Sequence, residues 1–474
     1  MKIPTGKILI LLIAVFAFVS GSLVTQEHGL WPDEALYMGA TRNFFSGNGL
    51  TLGGEGGVFP ALPILSAAFM ALTGTGFSKL PFYLATVLAA IFALAGTYSL
   101  ARKLLDSKEA AILSTAVMAT NATFLFYSTR ILLDVYDAAV SAIGLLAIFS
   151  WQEEPTSMKK AALAGAAIAA AYFVRVPDAL VLLVAFGVSA ALALFKNSSQ
   201  RKGTLVSVIC AAAIFTVPVL TWIALAKSSV LGFYSVVNFS GAGAVVSRTI
   251  FQVPSAFEFV CGGIVPALAA IIGLLLLARS QFFLPIAAFT IAVTASRLPV
   301  EPYDARYLLS ILPLLAIAII AAPLKISQAI SQIPKGVAKL AIPAVFVVAL
   351  SIYTLSFGLA MFEAKKGGYL EIEYSAEWMK KNVPEGEPVY AGAYRIVGLL
   401  SGHLVIALPL NEAELLSNLS IGTARYIEID NYDWAQPQYA LGLLQKYPAN
   451  FSIEKQFVSK ATGGGSVVVK YVGS

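Results

Sequence analysis

Charge, cysteine and histidine are all scarce in this 474-residue chain. Only 12% of its residues are charged, where a soluble domain carries about 25%. Hydrophobic residues reach 58%. That balance excludes a freely soluble globular protein and indicates a polytopic membrane protein with some extramembrane part. The two cysteines, Cys210 and Cys261, both fall in apolar stretches, so no disulfide framework is implied. With only His28 and His403 and no Cys/His cluster, a zinc site built from those residues is excluded. The net charge of +6 fits membrane topology better than a nucleic-acid partner, and none is expected.

What is present in quantity is long apolar sequence. Runs long enough to cross a bilayer, or nearly so, lie at 8–24, 79–101, 109–126, 132–151, 161–175, 178–195, 204–225, 259–278, 281–297, 305–323 and 339–360. They predict about eleven transmembrane helices. The first follows Lys2 and Lys7 and ends near Ser20-Gly21-Ser22, which could imitate a signal-peptidase site. Its length favours an uncleaved first helix. A twelfth run, 59–73, contains Pro60 and Pro63 and is short for a span. It suits a helix lying along the surface.

Basic residues separate the two counts, because cytoplasmic loops carry the excess of Lys and Arg. With 59–73 left outside and the N-terminus inside, fourteen basic residues fall in inner loops and eight in outer ones. If 59–73 crosses, the bias reverses. The expected protein is a multi-pass cell-membrane protein with a cytoplasmic N-terminus and an extracytoplasmic C-terminus. Ten acids then gather in the outer loops before the tail, against four in the inner loops. Ionisable groups near a bilayer core are costly and tend to mark function.

Beyond residue 361 the chain turns polar. Short β-like runs at 388–391, 404–408, 424–429 and 466–471 alternate with helical patterns near 375–382, 412–418 and 438–447. The alternation predicts a small extracytoplasmic α/β domain over 361–474, after a transmembrane domain over 1–360. Gly463-Gly464-Gly465 reads as a turn, since no helix follows it to cradle a phosphate. With no phosphate loop, nucleophile elbow or metal motif, the tail reads as a lid or an acceptor-binding module. Outer loops are expected at 25–78 and 226–258. The second, with Tyr234, Asn238, Arg248 and Glu258, is long enough to be a functional cover.

Four constellations could carry chemistry. Trp31-Pro32-Asp33-Glu34-Ala35-Leu36-Tyr37 puts an acidic pair just outside the first span. A carboxylate at a low-dielectric surface suits a general base; a helix N-cap is the plainer role. Tyr127-Ser128-Thr129-Arg130 leads to Asp134 and Asp137, which either line a cavity or form an internal ion pair with Arg130. Arg297 and Arg306 flank a short outer loop holding Glu301 and Asp304, and Tyr307 follows. Guanidinium groups there could bind phosphate or anchor the helix at the interface. Arg175 and Asp178 flank Pro177 and read first as a pair steadying that turn, with phosphate binding second.

These segments resemble the GT-C fold glycosyltransferases of the protein O-mannosyltransferase and aminoarabinose transferase superfamily. The resemblance is carried by Trp31 to Tyr37, by Tyr127 to Asp134, by Gly165 to Pro177 and by Asp304 to Pro313, and it extends over roughly residues 8–325. It implies transfer of a sugar, with inversion, from a polyprenyl- or dolichyl-phosphate carrier to a protein, lipid or glycan acceptor on the outer face of the bilayer. By this analogy Asp33 is the base, with Glu34 beside it, and Asp134 lines or supports the site. Arg306, Tyr307, Arg130 and Arg175 would hold the carrier phosphate. A divalent cation could be held by Asp33 and Asp134, though nothing demands one. The Glu-Lys-Pro of aminoarabinose transferases is replaced by Gly57-Val58-Phe59-Pro60, and the His-Pro-Pro of protein mannosyltransferases is absent. Neither subgroup is singled out. A flippase of lipid-linked sugars is the alternative, but it should show internal repeats and polar groups at the midplane. An assembly or sensor protein would not need acids and arginines at five separate span ends.

Overall fold

The computed structural model describes residues 5–24, 28–49, 59–196, 198–225, 238–239, 241–301, 303–329, 338–365, 367–432, 436–459 and 463–473. In chain order its helices are α1 (Thr5–Val24), α2 (Pro32–Phe45), α3 (Ala61–Thr73), α4 (Lys79–Leu105), α5 (Lys108–Ala119), α6 (Ala122–Tyr127), α7 (Asp134–Glu153), α8 (Met158–Val174), α9 (Val176–Lys196) and α10 (Arg201–Leu225). There follow α11 (Ala242–Ser247), α12 (Val253–Cys261), α13 (Ile264–Leu277), α14 (Phe283–Arg297), α15 (Leu312–Ala329) and α16 (Ala338–Lys365). The tail adds α17 (Leu370–Asn382), α18 (Tyr394–Ser401), α19 (Glu412–Ser420) and α20 (Tyr439–Lys446). The chain divides into two compact units, one of residues 1–24 and 44–360, the other of residues 25–43 and 361–474.

The first unit is a bundle of apolar helices. Among the described residues seven helices are long and apolar enough to cross a membrane. Gly243–Cys261 with Ile264–Leu277 makes an eighth if the pair, bent by 98°, is one span. All eleven expected runs are helical, but four are shorter or interrupted. The bend falls at Gly262-Gly263, both at positive φ, which only glycine adopts without strain. The 109–126 run breaks at Thr120-Asn121, where the Asn121 side chain accepts from Phe124 N at 2.9 Å and its amide donates to Val260 O at 3.0 Å. A buried Asn so engaged caps α6. α8 and α14, of 17 and 15 residues, cover the 161–175 and 281–297 runs. α3, in the 59–73 run, has 13 residues, about 20 Å of helix and short of the roughly 30 Å hydrocarbon core. Much of the expected cover over 226–258, Tyr234 included, and the Gly57-Val58 stretch lie outside the described residues.

Burial sorts these helices. In Ala305–Ala329, 89% of the most apolar stretch is buried, against 11% in α1 and 17% in Ser198–Ala224. α15 is therefore central, whereas Phe18, Val217 and Leu220 keep large exposed faces that suit lipid rather than water. Small residues bring backbones together. A Cβ at Gly273 would lie 1.7 Å from Ala318 O on α15, and one at Gly165 would lie 2.3 Å from Ala211 O on α10. Neither site has room for a side chain, as expected where apolar helices associate by packing. These features make the chain a multi-pass membrane protein.

The second unit is an α/β domain that includes most of α2. β3 (Val389–Ala391), β4 (Val405–Ala407), β5 (Tyr426–Asp430), β6 (Phe451–Val458) and β7 (Gly465–Tyr471) form a sheet in the order β4-β3-β5-β7-β6. β4 and β5 pair with β3 in parallel; β7 pairs antiparallel with β5 and β6. (A two-residue pair, β1 Asn238–Phe239 with β2 Val300–Glu301, belongs to the first unit.) Leu415, Leu419, Ile427, Leu443 and Val469 form the core between sheet and helices. Each such buried side chain contributes about 1.5–3 kcal/mol. Four of the strands coincide with the β-like runs. β6 is an edge strand with mostly exposed positions, and Glu454-Lys455-Gln456 interrupts its apolar alternation.

Candidate active site

In the first unit, polar side chains from four separate segments converge at helix ends. α6 ends at Tyr127, and a turn carrying Arg130 leads to Asp134 and Asp137 in the first turn of α7. Arg175 caps the C-terminus of α8 in extended conformation (φ −164°, ψ 129°). Asp178 lies in the first turn of α9, Arg297 in the last turn of α14. Asp304 caps the 3-10 turn Ala305–Ile311 by accepting from Arg306 N at 3.0 Å. Acids at helix starts and a cation at a helix end are the placements the helix dipole favours.

The pairing crosses between these segments. Arg175 Nη1 lies 2.6 Å from Asp137 Oδ2 and 3.7 Å from Asp134 Oδ1. Arg297 Nη2 donates to Asp178 Oδ1 at 2.8 Å. The Arg175–Asp178 pair expected across the Pro177 turn is not what forms. A backbone bond, Asp178 N to Arg175 O at 3.1 Å, steadies that turn, and the two side chains take partners on α7 and α14. Arg130 and Asp134 do not share a helix, because α7 starts at Asp134 itself. Arg130 is buried, with its guanidinium 5.7 Å from the Phe126 ring centroid. Arg306 Nε lies 3.3 Å from Asp304 Oδ2, and its guanidinium is 5.6 Å from the Tyr307 ring centroid. The Tyr127 hydroxyl is within electrostatic reach of Asp304, Arg306, Asp134 and Arg130 and so links two of the constellations.

Four aspartates and four arginines thus share one largely buried centre. Three of its atoms, Asp137 Oδ1, Asp178 Oδ2 and Arg297 Nε, have no hydrogen-bond partner among the described residues. Buried polar atoms in that state are costly unless water or a ligand reaches them. Among the described residues no group of three or more His, Cys, Asp or Glu is placed to hold a metal ion.

The acidic pair after α1 belongs to the second unit, and its two members differ. Glu34 is fully buried, and its Oε2 accepts from Trp31 N at 2.7 Å, the reach-back of a capping box. Asp33 is 37% exposed and pairs with Arg395 of α18, Oδ1 to Nη1 3.5 Å. Residues flanking Asp33 are fastened to the tail as well. Gly29 N donates to Gly368 O at 2.9 Å and Leu30 N to Glu373 Oε1 at 2.6 Å. Arg42 Nη1 donates to Leu399 O at 2.9 Å. Sequence reasoning missed Arg395 because 361 intervening residues hide a contact that is local only in the fold.

The tail also buries three acids, Glu371, Glu428 and Asp430. Glu428 Oε1 accepts from Ser466 Oγ at 2.6 Å and Oε2 from Ala393 N at 3.2 Å. Burial first, then the Asp430 charge, pushes Glu428 up to about 8. Burial pushes Asp430 up to about 6, opposed by the Tyr432 amide and aided by Glu371. A carboxyl raised on folding stabilises fully below its unfolded value and loses that contribution as pH rises through its folded value. This unit should therefore weaken from mildly acid pH to above pH about 8. Glu428→Gln mimics the protonated acid, donating to Ser466 and accepting from Ala393. In melting curves of the full-length protein it should raise the tail transition by about 3–6 °C at alkaline pH and hardly at all in acid. Equal gains at both ends would refute ionisation of Glu428 as the cause.

Comparison with solved structures gives the fold: a GT-C glycosyltransferase fold with a small C-terminal sheet domain. The chain is similar to ArnT from Cupriavidus metallidurans bound to undecaprenyl phosphate (TM-score 0.64, 13% identity, 98% of each chain covered). It is also similar to the archaeal oligosaccharyltransferase AglB from Archaeoglobus fulgidus, solved with an inhibitory peptide and a dolichol-phosphate (TM-score 0.60, 13% identity, 98% of this chain and 74% of that one). A third likeness is to the arabinofuranosyltransferase AftD from Mycobacteria (TM-score 0.54, 14% identity, 98% of this chain and 40% of that one). Residues 59–222 match the family model of dolichyl-phosphate-mannose-protein mannosyltransferases. No curated protein sequence matches the chain. The matched segment holds Tyr127, Arg130, Asp134, Asp137, Arg175 and Asp178. Family match and fold together support a glycosyltransferase.

Proposed function

We propose that the protein is an inverting membrane glycosyltransferase. It moves a sugar from a polyprenyl- or dolichyl-phosphate carrier to an acceptor hydroxyl or amide on the extracytoplasmic face, with its N-terminus cytoplasmic and its tail outside. The observation that carries this reading is the buried centre of the first unit, where arginines from four segments stand among carboxylates at helix ends in a GT-C fold. The lipid phosphates in the ArnT and AglB structures support the donor class.

The chemistry is one displacement. The acceptor atom attacks the anomeric carbon from the face opposite the phosphate. The C–O bond to phosphate breaks and its electron pair leaves with the polyprenyl phosphate. Asp33 takes the acceptor proton. Arg306 and Arg130, with Tyr307 beside Arg306, bind the phosphate and offset the charge that grows on it. Arg175 takes part through Asp134 and Asp137, which it holds in place. Glu34 serves by capping the helix that carries Asp33.

Incubating the purified protein with a panel of radiolabelled polyprenyl- and dolichyl-phosphate sugars, in membranes supplying protein, lipid and glycan acceptors, tests the reading. One donor is expected to pass its label to an acceptor with inverted anomeric configuration. Retained configuration, or no transfer from any lipid-phosphate sugar, would overturn it.

A further inference from the structure

We infer that the C-terminal domain acts within the catalytic machinery by positioning Asp33, with Arg395 as the positioning residue. This rests on the reading of Asp33 as the base. Neither a lid nor an acceptor-binding module requires the contacts found. The stretch before and into α2 is fastened to the tail at both ends and in the middle. Gly29 and Leu30 donate their amides to Gly368 O and Glu373 Oε1. Gly29 has no room for a side chain, since a Cβ would lie 2.3 Å from the Tyr369 carbonyl carbon. At the far end Arg42 donates to Leu399 O and, at 3.5 Å, to Gly398 O, carbonyls in the last turn of α18. Between these anchors lies the Asp33–Arg395 ion pair.

The position of Arg395 argues for function over stability. It stands in the first turn of α18, at the positive end of the helix dipole, where a cation is disfavoured. Its ion pair is partly exposed, 25% for Arg395 and 37% for Asp33, and such pairs contribute little to folding. What the pair does supply is direction: the Asp33 carboxylate is aimed by a guanidinium that is itself carried on a sheet-backed helix. Support of this kind is what keeps a reacting group within about 0.5 Å of its productive place. The small α/β fold is then the frame that holds α2, and the chain supplies its base and the base's support from opposite ends of the sequence.

Steady-state kinetics of full-length variants test this. Arg395→Gln is expected to lower kcat about 10- to 100-fold while the donor KM changes less than about twofold. Arg395→Lys keeps the positive charge and is expected to recover kcat to within about threefold of wild type. Arg42→Gln leaves the ion pair and removes the far anchor, and is expected to lower kcat about three- to tenfold. It decides the matter if Arg395→Gln does not fold. Wild-type kcat in Arg395→Gln, a loss expressed in KM, or no recovery in Arg395→Lys would overturn the inference. An inactive Asp33→Asn beside an unimpaired Arg395→Gln overturns the positioning alone, whereas an active Asp33→Asn overturns the base assignment itself.

Discussion

Asp33→Asn is expected to lower transfer by about 10³-fold or more while leaving the protein folded, since general bases contribute typically 10²–10⁴. The substitution keeps the shape and removes the proton acceptor. The local structure does not depend on the Asp33 charge, because the buried Glu34 caps α2. The anchors at Gly29, Leu30 and Arg42 are untouched. Arg395 loses an ion-pair partner, but at a partly exposed site where the cost is at most about 1 kcal/mol. Glu34→Gln should behave in the opposite way. Its side-chain oxygen can still accept from Trp31 N, so activity should survive with a modest loss of stability. The measurement is initial rate of label transfer, with the melting curve as the folding control. A folded Asp33→Asn that turns over at the wild-type rate removes Asp33 from the reaction.

Much of the architecture was legible because the bilayer forces it. Each expected apolar run is helical, and the 59–73 run forms a helix too short to span. The breaks were harder to read, because Asn121 and Gly262-Gly263 sit inside apolar stretches and act through partners on other helices. The tail's strands were legible where apolar residues face its core; the edge strand β6 was not. For the candidate site, the residues could be named but their partners could not. Sequence spacing couples Arg175 to Asp178 and Arg130 to Asp134. The fold sends Arg175 to α7 and Asp178 to α14, since helix ends meet neighbours from distant sequence more readily than their own turns. The same limit hid Arg395, which carries no motif and lies in a domain read as a lid or an acceptor-binding module.

Arg297→Met is expected to destabilise the first unit by about 3–5 kcal/mol, the cost of leaving a buried charge without its partner. Arg297 and Asp178 are 5% and 1% exposed, and their 2.8 Å contact joins α14 to α9. Removing the arginine strands more than Asp178. Asp137 feels Arg175, Asp178, Arg297 and Asp134, so of the charges acting on it Arg175 would be the one cation left against two carboxylates. The second change should then relieve the first. Arg297→Met combined with Asp178→Leu replaces the pair by apolar groups and should recover most of the loss, since buried pairs exchanged whole are often neutral. The double-mutant cycle read from melting temperatures gives the coupling directly. If the single variant melts within about 1 °C of wild type, the pair is not buried as described. If the double variant is stable and still transfers sugar, the pair is a strut between helices. If it is stable and inactive, Arg297 or Asp178 belongs with the groups that act on the substrate, and the three partnerless atoms of the centre mark where that substrate reaches.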